Sequence, residues 1–306
     1  VTGSASARVL ILGGTAEARE IAERAAGSAP GRVILSLAGR TTAARAGLER
    51  PVPLVRRGGF GGVDGLVRWL EAERIAAVLD ATHPFATQIQ AHARAACARC
   101  AIPRLRLERP DWPQTPEDRW LQVDSARAAA RACTALPGRI LLTIGHRGLE
   151  AFAPLAPRLV VRTIEPPEAL PEGAALILAR GPFSLASELA LLRDQRIGVV
   201  VAKQSGGEGA RAKILAARAL SLPVVLITRP DPVDAAPVVA DVAAALAWLE
   251  ARLAAPGWPQ HVAVAAGIEP AVGERLGGEA VAHQDQRGPG EAGRLHLRAD
   301  VGERPA

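Results

Sequence analysis

The chain has 306 residues, 49% of them hydrophobic, with 37 Lys and Arg against 31 Asp and Glu. That composition reads as a globular protein with material for two cores of ordinary size, and its apolar stretches, such as Ala174-Ala-Leu-Ile-Leu-Ala179, fall far short of the roughly 20 residues of a membrane span. The formal charge of +6 raises nucleic acid as a partner, but the basic residues are interleaved with acids and aromatics make up only 3%, so no basic stripe or stacking platform forms.

The first element is the run Arg8-Val-Leu-Ile-Leu12, which ends in Gly13-Gly14-Thr15-Ala16-Glu17-Ala18. It predicts a strand turning through glycines into a helix over 15–27. Such a turn builds an anion site, because the glycines let backbone approach a phosphate and the first helical N–H groups point at it. The spacing is looser than G-x-G-x-x-G, with Thr15 third and Ala18 sixth, and a plain βα turn is the competing reading. The next strand, Arg32-Val-Ile-Leu-Ser-Leu37, runs into Ala38-Gly39-Arg40-Thr41-Thr42. This is where an acid meets the ribose 2′-hydroxyl of NAD or an arginine meets the 2′-phosphate of NADP. A guanidinium and two hydroxyls with no acid favour NADP(H), against a solvated loop arginine.

Further strands are predicted near 52–56, 76–80 and 103–107, with helices near 62–74 and 85–100 at three- and four-residue apolar spacing. Two loops between them are distinctive. Arg57-Gly-Gly-Phe-Gly-Gly62 is flexible, and Phe60 either lies on a ring or plugs the core. Asp80-Ala-Thr-His-Pro-Phe85 leads into a helix with Pro84 in its first turn, and His83 is either a proton donor or cofactor contact, or a hydrogen-bonded cap. Cys97 and Cys100 form C-x-x-C inside this helix without further ligands, which reads as structural rather than metal-binding. Three cysteines in all fit a reducing compartment.

Arg109-Pro-Asp-Trp-Pro-Gln-Thr-Pro116 breaks the pattern and predicts a domain crossover. A second α/β unit follows, with a helix near 124–136, strands near 139–144, 158–162, 174–179, 197–202 and 223–227, and a closing helix near 238–254. Three strand ends carry glycine with a polar or cationic partner: Thr143-Ile-Gly-His146, Ala179-Arg-Gly-Pro-Phe183 and Ala202-Lys-Gln-Ser-Gly-Gly207. The chain's two lysines, Lys203 and Lys213, flank the last of these, which reads as an anion nest or as a turn with an exposed lysine. The expected organisation is an α/β chain of two Rossmann-like parallel-sheet domains with an interdomain cleft, over 1–116 and 117–255. Residues 256–306, rich in Gly, Ala, Pro, His and charge, are expected to be a disordered tail. No apolar region follows a basic start at the N-terminus, so a secretory signal is not expected and the cytoplasm is the default. The absence of tyrosine excludes a Tyr/Lys acid pair.

Leu10-Ile-Leu-Gly-Gly-Thr-Ala-Glu-Ala-Arg19, Arg57-Gly-Gly-Phe-Gly-Gly62, Asp80-Ala-Thr-His-Pro-Phe-Ala86, Arg109-Pro-Asp-Trp112, Ala179-Arg-Gly-Pro-Phe183 and Val201-Ala-Lys-Gln-Ser-Gly-Gly207, in this order and spacing, resemble the precorrin-6A reductase family, including its cobalt-precorrin-6A branch, over about residues 8–250. The resemblance implies NADPH-dependent reduction of one double bond of a corrin precursor in cobalamin biosynthesis, giving precorrin-6B, in a cleft between two Rossmann-like domains. It implies a tetrapyrrole substrate with acetate and propionate arms, no nucleic-acid or membrane partner, no metal site, and transient contact with neighbouring pathway enzymes. On this basis Gly13, Gly14, Thr15 and Ala16 are expected at the pyrophosphate, and Arg40, Thr41 and Thr42 at the 2′-phosphate. Thr82, His83 and Pro84 are expected beside the nicotinamide. Arg19, Arg180, Lys203, Ser205 and Gly206 are expected at the substrate carboxylates, with His83 or His146, or water, as the proton donor. The competing readings are a non-catalytic NADP(H)-binding regulator and another Rossmann NADP-dependent reductase with a smaller substrate.

Overall fold

Strands buried on both faces must be near-continuous apolar runs, and such runs build the centres of two sheets here. In the computed structural model, which describes residues 7–38, 53–231 and 236–254, the first lobe holds β1 (Arg8–Leu12), β2 (Val33–Leu37), β3 (Leu54–Arg57), β4 (Ile75–Asp80) and β5 (Arg104–Leu107). Helices α1 (Ala16–Ser28), α2 (Gly62–Ala72) and α3 (Thr87–Arg99) connect them. In α1 the buried residues are Ala18, Ile21, Ala22, Ala25 and Ala26, one helical stripe of small side chains that lets the helix lie close on the sheet. Helix α3 begins at Thr87, so Pro84, expected in its first turn, sits in the preceding turn, which Ala86 N closes on His83 O at 2.8 Å.

The second lobe contains β6 (Arg119–Val123), α4 (Ala126–Thr134), β7 (Arg139–Leu142), a 3-10 helix (Leu149–Arg158), β8 (Leu159–Thr163) and β9 (Ala175–Leu178). It continues through α5 (Leu185–Asp194), β10 (Ile197–Lys203), α6 (Ala212–Ala219) and β11 (Pro223–Ile227). Pro154 and Pro157 lie inside the 3-10 segment and prevent a regular α-helix there. Strand β6 and helices α5 and α6 were not among the predicted elements. Strand β6 is an edge strand with three of five residues exposed, so it carries no apolar run to read.

The chain then returns to the first lobe. Residues 238–254, expected as one helix closing the second domain, form β12 (Val238–Val239), paired with β5 of the first sheet, and α7 (Val242–Ala254). The Asp241 carboxylate accepts Ala244 N–H at 2.8 Å, which sets the helix start. Leu246, Leu249 and Leu253 of α7 join Ile21, Ala22 and Ala25 of α1 in one core cluster.

Both sheets are wholly parallel, ordered β3-β2-β1-β4-β5-β12 and β9-β8-β7-β10-β11-β6. The first has the 3-2-1-4-5-6 order of a dinucleotide-binding sheet, and the second repeats it with β7 to β11 as its first five strands. In each sheet the sixth position is filled from the other lobe's run of sequence: β6 follows β5 but joins the second sheet, and β12 follows β11 but joins the first. The two lobes thereby exchange their sixth strands within one chain. All described residues fall in one compact unit, and no helix among them is long and apolar enough to cross a membrane. The tail 256–306 lies outside the described residues.

If α7 belongs to the first core, Leu249, fully buried, should report it. Leu249→Ala is expected to cost about 2–5 kcal/mol of unfolding free energy, whereas Leu178→Ala, at a residue 52% exposed, should stay within about 0.5 kcal/mol. Urea denaturation of both variants checks the contrast.

Candidate functional site

In open α/β sheets the ligand crevice lies beyond the carboxyl ends of the strands where the order reverses. In the first sheet that point is between β1 and β4, and in the second between β7 and β10. The Gly13–Thr15 turn and the Ala81–Phe85 loop therefore flank one crevice, and the loops after Leu142 and Lys203 flank the other.

The first turn is held rigidly. Gly13 N donates to Ser36 O at 2.9 Å, and a Cβ at Gly13 would stand 2.7 Å from Leu35 Cδ1, so a larger residue here would have to displace the buried Leu35 side chain. Gly14 has φ +122° with open space over its α-carbon, a backbone cradle of the kind a phosphate needs. Thr15 caps α1: its hydroxyl accepts Ala18 N–H at 3.1 Å and donates to Ala81 O at 2.9 Å. Its side chain thus staples β1 to β4 across the switch point, and the first-turn N–H groups of Ala16 and Glu17 are left for a ligand. A carboxylate at Glu17 would oppose an anion there, but Arg109 Nη1 donates to both of its oxygens at 3.2 and 3.1 Å and offsets its charge. These residues fit the pyrophosphate of a dinucleotide. Arg40, Thr41 and Thr42 lie outside the described residues.

The loop after β4 is ordered by buried polar groups that the sequence reading did not single out. Asp80 Oδ1 accepts from Thr82 N at 3.2 Å and from Thr82 Oγ1 at 2.7 Å, while Oδ2 accepts from Arg104 at 3.3 Å. Gln90 Nε2 donates to Thr82 Oγ1 at 3.3 Å and His83 O at 3.2 Å. Phe85 N donates to His83 Nδ1 at 3.3 Å, so the imidazole carries its hydrogen on Nε2. Burial first, and then Arg109, Lys203, Lys213 and Arg229, push the His83 pKa down to about 3. The ring is a neutral donor at physiological pH.

That loop also reaches the second lobe. Phe85 packs against the core cluster that includes Ile144, Val201 and Ile227, and the Lys203 ammonium sits 5.2 Å from the Phe85 ring centre. Lys203 Nζ donates to Ile144 O at 2.7 Å, spanning the second switch point, and burial followed by Arg147 lowers its pKa. His146 Nε2 lies 3.1 Å from Glu165 O at the wall of a cavity of about 450 Å³ shared with Arg147, Glu150 and Leu170. Arg180 is exposed on the loop after β9, and Arg19 is half-buried one turn into α1.

The crossover segments clamp the loop after β10. Trp112, 5% exposed, donates Nε1–H to Gly207 O at 2.7 Å, and the Gln204 side chain pairs with Trp112 N and O at 3.4 Å each. Arg229, in the second crossover, pairs with Asp111 and Glu108 of the first at 2.9 and 3.4 Å and donates to Gln204 O at 3.0 Å. Ser205 is buried, and a Cβ at Gly206, φ +62°, would collide with Pro110 O and the Arg229 guanidinium. Gly206 therefore makes room for the crossover. None of these long-range partners leaves a local signal in sequence. Among the described residues no group of three or more His, Cys, Asp or Glu is arranged to hold a metal ion.

Comparison with known proteins agrees with this architecture. Residues 8–250 match the family described as Precorrin-6x reductase CbiJ/CobK. A precorrin-6A reductase of Rhodococcus erythropolis is 46% identical over 244 residues, 79% of this chain and 97% of the relative. A cobalt-precorrin-6A reductase of Methanothermobacter thermautotrophicus is 32% identical, over 73% of this chain and 76% of the relative. A solved structure described as CobK precorrin-6A reductase aligns with TM-score 0.71 and 41% identity, covering 82% of this chain and 99% of that one.

His83 gives the direct test of the site's electrostatics. Because its folded pKa lies below the ordinary 6.5, the unfolded chain takes up a proton between about pH 6.5 and 3 that the folded chain refuses, so this residue's effect is to lower stability as pH falls through that window. Nitrogen NMR of the histidines is expected to show one Nε2–H tautomer that remains neutral at pH 5; a His83 that titrates near 6.5 would contradict the site described.

Proposed function

Because the chain belongs to the precorrin-6x reductase family, we propose that it reduces one ring double bond of precorrin-6A to give precorrin-6B, with NADPH as the reductant, in the cytoplasm and without a nucleic-acid or membrane partner. The observation that carries this reading is the meeting of a glycine-and-helix anion turn on one lobe with a cationic strand rim on the other, around a histidine kept neutral. The higher identity to the precorrin-6A reductase, 46% against 32% for the cobalt-precorrin-6A relative, favours the metal-free substrate.

When bound, NADPH supplies the hydride. Gly13, Gly14 and the N–H groups of Ala16 and Glu17 hold its pyrophosphate, and Arg40, Thr41 and Thr42 take the 2′-phosphate. Thr82 and His83 border the nicotinamide, with the Asp80–Arg104 pair fixing their loop. His83 donates a hydrogen bond through Nε2–H rather than a proton, because an imidazole that stays neutral to about pH 3 has no acidic proton to release near pH 7. His146 is tied to the Glu165 carbonyl, so we assign the second hydrogen of the reduction to water. Lys203, Arg19 and Arg180 attract the acidic arms of the macrocycle.

The test is NADPH oxidation by the purified protein under anaerobic conditions, with precorrin-6A and its cobalt form offered separately. Turnover of the metal-free form at the higher kcat/KM is expected; NADPH binding without turnover of either would favour a non-catalytic NADP(H)-binding regulator. Arg40→Ala should raise the Kd for NADPH at least tenfold while sparing NADH, as measured by fluorescence titration. Lys203→Ala should raise the KM for precorrin-6A more than the Kd for NADPH, and equal effects would remove Lys203 from the substrate side.

A further inference from the structure

The second lobe holds a buried charged cluster that the reading above does not use. Arg162, on β8, gives both nitrogens of its fork to Glu188 on α5, Nη1 to Oε2 at 3.1 Å and Nη2 to Oε1 at 2.8 Å, and the two side chains are 6% and 1% exposed. Phe183, in the loop after β9, lies over the guanidinium at 4.2 Å. Helix α6 packs on α5 and brings Lys213, its second residue, within electrostatic reach of both members of the pair. Lys213 is half-buried and makes no hydrogen bond among the described residues.

The charge count is unbalanced. Two cations share one carboxylate, and that carboxylate is already held at both oxygens by Arg162. Three effects oppose the Lys213 ammonium: withdrawal from water, the Arg162 charge, and the positive end of the α6 dipole beside its first turn. Burial first, then Arg162, bring its pKa down to about 8, with Glu188 opposing them. The Arg162 charge and the helix N-terminus would instead favour an anion. The charged groups facing Lys213 are Arg162 of β8 and Glu188 of α5; the neutral His83 of the first lobe feels the Lys213 charge. Strand β11 beneath α6, Pro-Val-Val-Leu-Ile, adds none. Strands β8 and β9 end, and α6 begins, on the carboxyl rim that carries Lys203, so the unbalanced charge belongs to the crevice side of the sheet.

We infer that Lys213, backed by the Glu188-anchored Arg162, is a carboxylate seat on the second lobe that receives one acidic arm of the substrate. The inference rests on the proposed substrate, since it requires a ligand that presents a carboxylate to this rim. The seat binds while the lysine is protonated and fails when it is not. A fixed charge at the same place should bind at every pH, and a neutral side chain at none.

The experiment is the pH dependence, from 6 to 10, of KM and kcat for precorrin-6A and of Kd for NADPH, in wild type, Lys213→Arg and Lys213→Met. Wild-type KM is expected to climb above about pH 8, Lys213→Arg to abolish that climb, and Lys213→Met to raise KM at pH 7 by tenfold or more with a smaller change in kcat. The Kd for NADPH should be the same in all three, which also reports that the variants fold. An unchanged KM in Lys213→Met, a climb that persists in Lys213→Arg, or a climb in the NADPH Kd that Lys213→Arg abolishes would each overturn the assignment. If wild type fails to turn over precorrin-6A, the reading of the reaction falls. The same pH series on macrocycle binding, followed by tryptophan quenching, then decides the seat by itself.

Discussion

The exchange of sixth strands between the lobes is the constraint on which the rest of the structure depends. A two-residue strand such as β12 contributes little by itself, but it sends the chain back to the first lobe, where α7 buries Leu246, Leu249 and Leu253 against α1. Neither sheet is complete without sequence from beyond its own run of strands. The lobes are therefore joined by two covalent crossings and by shared cores rather than by one flexible linker, and their relative placement is set by packing.

Those two crossings do more than connect. They lie side by side, stitched by Arg229 to Glu108 and Asp111, and the first is pinned to the second lobe by Trp112 and to α1 by the Arg109–Glu17 pair. The result places the carboxyl rim of the second sheet against the loop after β4 of the first. Positive charge gathers there on Arg109, Arg229, Lys203 and Lys213, and at His83 it adds to burial, the larger cause, in holding the ring neutral. Only the part of that effect contributed by the four cations bears on an anionic ligand, and it links the fold to the reduction of a many-armed acidic macrocycle proposed for this chain.

Much of this was legible from residues alone where the physics is local. Strands β1, β2, β10 and β11 read as apolar runs because both of their faces are covered, and the Gly13-Gly14-Thr15 turn read as an anion site or a plain βα turn, because glycines and an N-cap residue after a strand serve either. The loop Asp80-Ala-Thr-His-Pro-Phe85 was recognisable as chemistry-bearing, yet the part Asp80 plays was not, since its partner Arg104 lies on another strand. That Gly206 leaves room for Pro110 of the crossover was not legible either, because a glycine records that something comes close, never what.

The sequence by itself determined most of the alternation of strand and helix, the parallel sheets, the position of the glycine turn after β1 and the glycine-bearing strand ends proposed as the site, because each follows from periodicity, capping and backbone freedom within a few residues. Only the tertiary structure decided which sheet receives β6 and β12. An exposed edge strand and a two-residue strand carry too little pattern to choose a neighbour, and that choice is made by where α7 finds a core to bury against. It also decided the charge state of His83 and the unbalanced cluster around Lys213, for electrostatics sums over groups near in space, and here those groups come from loops and helices of both lobes that are far apart along the chain.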